Sequence, residues 1–147
     1  MGAWGTGYFE NDAAFDYMDD IEDTDDPVDM IEDIFSEAMQ SEELDSDTGS
    51  AVIVAAAYID RQVNGTRYTE ASDEEEFPID SFAARNPDVD LAPFRTQAME
   101  ALRKVLEPTS ELRQLWDENA TDGPIWRQSI EALIGRLDKK SSPLRSV

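Results

Sequence analysis

Residues 51–63 constrain the fold more than any other stretch of the chain. They read Ala-Val-Ile-Val-Ala-Ala-Ala-Tyr-Ile-Asp-Arg-Gln-Val, and the first charge arrives only at Asp60. An apolar run of this kind is either a strand covered on both faces or a helix buried all round. Ala-Val-Ile-Val suits the start of a strand. The continuous length and the three alanines favour the helix. Val52, Ala55, Ala56, Ile59 and Val63 then share one face, and Asn64-Gly65 supplies a C-terminal stop. A helix this apolar predicts a bundle in which it is the central member.

The flanking sequence supplies helices to surround it. Asn11 or Asp12 can cap a helix over about 12–22 whose inward stripe is Ala14, Phe15, Met18 and Ile21. Asp26-Pro27 starts another, about 27–43, with Val28, Ile31, Phe35, Ala38 and Met39 inward. Residues 44–50 read as a turn and 66–77 as an exposed acidic loop. Pro78 to Asn86 predicts a short helix with Phe77, Ile79 and Phe82 facing in. Asp90 caps a helix over about 91–106 carrying Phe94, Ala98, Ala101, Leu102 and Val105. Ser110 caps a short helix through Leu112, Leu115 and Trp116. Pro124 opens a last helix to Asp138, with Trp126, Ile130, Leu133, Ile134 and Leu137 inward. The expected architecture is all-α: a single-domain irregular bundle of about seven helices over residues 1–138, with a flexible tail at 139–147. Gly2, Gly5 and Gly7 oppose helix at the start, so Trp4 and Phe9 belong to an irregular arm that plugs the bundle.

Charge narrows the function. The 147 residues hold 34 Asp and Glu against 12 Lys and Arg, a net charge of −22. Residues 1–60 contain 18 acids and no base, while residues 101–147 hold 7 acids and 8 bases. Such a field repels phosphate backbones and anionic lipid and attracts a basic protein. With no Cys and no His, the chain lacks thiolate nucleophiles, imidazole bases and the usual zinc ligands. No apolar run approaches a membrane span of ~20 residues, and no basic residue precedes Arg61, so a signal peptide with a positive start is not expected. Cytoplasmic residence is the expectation. The opening Met-Gly fits the loose myristoylation pattern, but no basic patch follows as a second anchor.

Met1-Gly2-Ala3-Trp4-Gly5-Thr6-Gly7-Tyr8-Phe9-Glu10-Asn11-Asp12-Ala13-Ala14-Phe15-Asp16 resembles the opening of a bacterial family known as domain of unknown function 4259, which begins M-G-A-W-G-x-G-x-F-x-N-D-x-A-x-D. The match is tight over these 16 residues. The alanine-rich helix, the stretch from Ser110 to Trp116, and Trp126 are similar to the family more loosely, and the acidic insert at 70–76 departs from it. The resemblance implies a small, mostly helical bacterial protein and brings no activity with it. Its motif residues here are Trp4, Gly5, Gly7, Phe9, Asn11 and Asp12.

Other patterns carry less. The N-terminal glycines lack the lysine of a phosphate-binding loop. Asp45 to Gly49 fails the calcium-loop spacing, because the position that needs a bidentate Glu is Ala56. Asn64-Gly65-Thr66 and Asn119-Ala120-Thr121 match the glycosylation triplet, and without a secretory signal they read as turns. Asp12, Asp16, Asp19 and Asp20 share one helical side, where they could cap, meet a basic partner or hold a hard cation. No cofactor is expected and a metal is left open. Three readings follow. In the first, Asp16, Asp19, Asp20, Asp23, Asp25, Asp26 and Asp29 form the binding face of a non-catalytic immunity or inhibitor protein for a basic partner. The second is a general helical interaction module with a salt-adapted surface, suggested by 9 Arg against 3 Lys. The third, ranked last, is a metal enzyme built on carboxylates alone.

Overall fold

The computed structural model describes residues 12–66, 68 and 78–138. These form seven α-helices and no strand: α1 Asp12–Asp23, α2 Pro27–Gln40, α3 Ser46–Asn64, α4 Pro78–Arg85, α5 Arg95–Val105, α6 Glu111–Asp117 and α7 Asp122–Asp138, with a 3-10 turn at Ala92–Phe94 leading into α5. The Gly/aromatic arm, Phe77, the acidic run at 73–76 and the tail from residue 139 lie outside the described residues.

The apolar run is the axis of the bundle. Every residue from Thr48 to Asp60 is buried, and α1, α2, α4, α5, α6 and α7 all pack against α3. Alanines at 51, 55, 56 and 57 keep α3 thin, so its neighbours approach closely while larger side chains from α1, α2, α5 and α7 fill the space between them. The stripes of the outer helices largely point as the spacing demands. Met18 and Ile21, Ile31 and Phe35, Leu102 and Val105, and Leu133 and Leu137 are all buried. Phe15, Val28, Phe94, Leu115 and Ile134 are half-buried, and Met39 departs furthest, at 45% exposed. The inward line of α2 runs through Pro27, Ile31, Phe35 and Ala38, and at ~100° per residue Met39 falls roughly a quarter turn off it.

Helix ends depart from the sequence reading where a cap or a proline decides them. α3 starts at Ser46, inside the stretch expected to be a turn, because the Asp45 carboxylate accepts the Thr48 amide at 2.7 Å and closes the first turn. α2 ends at Gln40 rather than near 43, as Ser41 turns extended at φ −80°, ψ 133°. Pro93 falls in the 3-10 turn, so α5 itself begins only at Arg95. α7 begins at Asp122, two residues before Pro124, because Asn119 Oδ1 accepts the amides of both Thr121 and Asp122. Gly65 ends α3 with φ 73°, the left-handed conformation that glycine adopts without a Cβ penalty. Gly123 is required for a different reason. Its Cα sits against the Trp116 carbonyl, where a Cβ would collide with the backbone. That approach lets the Trp116 and Trp126 rings stack with centroids 6.1 Å apart and planes at 13°, joining α6 to α7.

Candidate functional site

The α1–α2 corner carries the acidic face. The turn between the helices is three residues long. The Tyr17 hydroxyl of α1 donates to the Met30 carbonyl of α2 at 3.2 Å, holding the two in contact while each packs more extensively on α3. Asp16, Asp19, Asp20, Asp23, Asp25, Asp26 and Asp29 are all exposed. The seven residues expected to bind a partner thus lie exposed on α1, on the start of α2 and in the short turn between them. Asp26 also has a local task, since its Oδ1 accepts the Asp29 amide at 3.1 Å and caps α2. Of the N-terminal motif, Asp12 is the first residue of α1; Trp4, Gly5, Gly7, Phe9 and Asn11 lie outside the described residues. Among the described residues, no three carboxylates gather closely enough to hold a metal ion.

Glu22 does not join the solvated acids around it. Its Oε2 accepts the Tyr58 hydroxyl at 2.7 Å, and its Oε1 pairs with Arg85 at 2.8 Å. Arg85 is held in turn by Ser81 Oγ and the Pro78 carbonyl. The Tyr58 ring meets Phe82 edge-on at 5.0 Å, and burial, followed by the bond to Glu22, raises the Tyr58 pKa well above the ordinary phenol value. Residues 1–60 hold no base, yet folding brings one to this acidic neighbourhood. The base comes from α4, remote in sequence and brought alongside by packing. Between α1 and α4 lies an open cleft of about 460 Å³ lined by Asp19, Glu22, Asp23, Pro78, Ser81 and Arg85.

A second polar cluster lies where the C-terminal ends of α3 and α7 meet. Asp60 is fully buried. Its Oδ1 accepts Asn64 Nδ2 at 2.7 Å, and its Oδ2 accepts the Tyr68 hydroxyl at 2.5 Å and Arg136 Nε at 2.9 Å. Tyr68 also donates its backbone amide to Asp80 Oδ1 at 2.8 Å, and Asp80 pairs with Arg61 at 3.9 Å. Burial, then the Asp60 charge, keeps the Tyr68 hydroxyl protonated far above its usual range. Buried carboxylates so fully supplied with donors act as a clasp between α3, α4, α7 and the segment after α3. Nothing in the sequence marked these residues as one cluster. The available signal was Asp60 itself, a charge in helical register with Ala56 and Ile53 on the most buried helix of the chain.

No curated protein and no solved structure matches the chain. The profile of the family described as a domain of unknown function (DUF4259) matches residues 2–129. That span holds the acidic corner, Asp60, Tyr68 and Asp80, and stops short of Arg136. With the larger part of its length so matched, the chain belongs to the DUF4259 family.

Proposed function

We propose that this protein is a non-catalytic, acidic binding protein that engages a basic protein partner through the α1–α2 corner, in the manner of an immunity protein or inhibitor that covers a cationic surface, within the bacterial cytoplasm. The observation that supports the reading is the exposure of Asp16, Asp19, Asp20, Asp23, Asp25, Asp26 and Asp29 on one corner of a chain with no base in its first 60 residues. Folding places the Arg85 guanidinium on Glu22, which leaves the field of the surrounding aspartates largely intact. Carboxylates presented this way speed encounter with a cationic surface and fix its orientation. No helix of the described residues is long and apolar enough to cross a membrane, and the charge disfavours anionic lipid and nucleic acid as partners.

The test is capture from native bacterial lysate by the wild type and by a variant with Asp19, Asp20, Asp25 and Asp26 changed to Lys, followed by calorimetry on any purified partner. The reading expects a discrete basic protein bound by the wild type, weakened as salt rises and lost in the variant, whose helical circular dichroism is unchanged. Equal capture by both proteins, or none by either, would reduce the corner to a solvated surface.

A further inference from the structure

We draw no further inference here: the strongest candidate, the cleft between α1 and α4 lined by Asp19, Glu22, Asp23, Pro78, Ser81 and Arg85, belongs to the acidic face already described, and nothing in the structure shows what covers it.

Discussion

Arg136 Nε on α7 lies 2.9 Å from Oδ2 of Asp60 on α3, across 76 residues of sequence. The carboxylate is fully buried, whereas the arginine side chain keeps 31% of its exposure. This asymmetry sets what each partner does for stability. Asp60 must be paired because water cannot reach it. Arg136 can return to solvent if its partner is lost.

Arg136→Ala is therefore expected to cost about 3–5 kcal/mol, the range for leaving a buried charge without its ionic partner. Asp60→Ala removes the acceptor of the Tyr68 hydroxyl and one of the two acceptors of Asn64 Nδ2, which keeps the Arg136 carbonyl. That change is expected to cost less, about 1–3 kcal/mol, the range for a buried donor left unsatisfied, because the partly exposed Arg136 guanidinium returns to water. Urea unfolding of the two single variants and the double variant measures this. The double variant should lose less than the sum of the singles; full additivity would mean that the pair is not coupled.

Gly123 and Gly135 lie on the same helix and are expected to respond in opposite directions. A Cβ at Gly123 meets the Trp116 carbonyl, which is backbone and cannot rotate away, while a Cβ at Gly135 meets nothing within 4 Å. Gly123→Ala should destabilise by about 1–3 kcal/mol or more through forced separation of α6 and α7. Gly135→Ala should stabilise by up to about 1 kcal/mol through helix propensity alone. Thermal melts decide, and near-ultraviolet dichroism of the stacked tryptophans reports whether the Gly123 change has moved the rings. Equal effects at the two positions would sink the steric account.

Alkaline pH should unfold the protein through its tyrosines. Tyr17, Tyr58 and Tyr68 all have pKa values raised above the unfolded phenol, burial being the largest cause in each. A raised folded pKa gives stability that is complete below the unfolded value of about 10 and is lost as pH climbs toward the folded value. Each such tyrosine contributes a slope of about −1.4 kcal/mol per pH unit in that window, since the unfolded chain releases a proton the native state retains. Tyr58→Phe and Tyr68→Phe should each flatten the slope by one tyrosine's share. Phenolate absorbance of these residues should rise together with unfolding; a rise well before loss of helix would contradict their burial.

The helices were readable because each has an apolar stripe that only one period satisfies. α3 was readable as the axis because Ala51–Ile59 carries no charge and no polar side-chain atom but the Tyr58 hydroxyl. Its true start was hidden by Asp45-Ser46-Asp47-Thr48-Gly49-Ser50, six residues whose local chemistry favours a turn. The Asp45 cap and packing against α6 override that preference. The acidic corner was legible for the same reason as the stripes, being local in sequence. The Asp60–Arg136 and Glu22–Arg85 pairs were not, because a charge pattern names no partner until the chain has folded. Counting bases within the first 60 residues missed Arg85 on this account.

The acidic corner makes a prediction about the free protein that needs no partner. Asp16, Asp19, Asp20 and Asp23 follow one another on the exposed side of α1, and Asp25, Asp26 and Asp29 continue the series around the turn. Like charges so close repel, and the repulsion is relieved when the chain unfolds and the carboxylates separate. Added salt shortens the screening length from about 30 Å at 0.01 M to about 10 Å at 0.1 M. The melting temperature should therefore rise with sodium chloride over this range. Asp20→Lys or Asp25→Lys should raise it at low salt, and the gain should shrink as salt is added. Asp26→Lys should behave differently, because it removes the carboxylate that caps α2 at the Asp29 amide, and the lost cap offsets the relief of repulsion. If the melting temperature is flat in salt and indifferent to reversal at Asp20 and Asp25, the corner carries no electrostatic strain. A field too weak to trouble its own fold would also be too weak to steer a cationic partner.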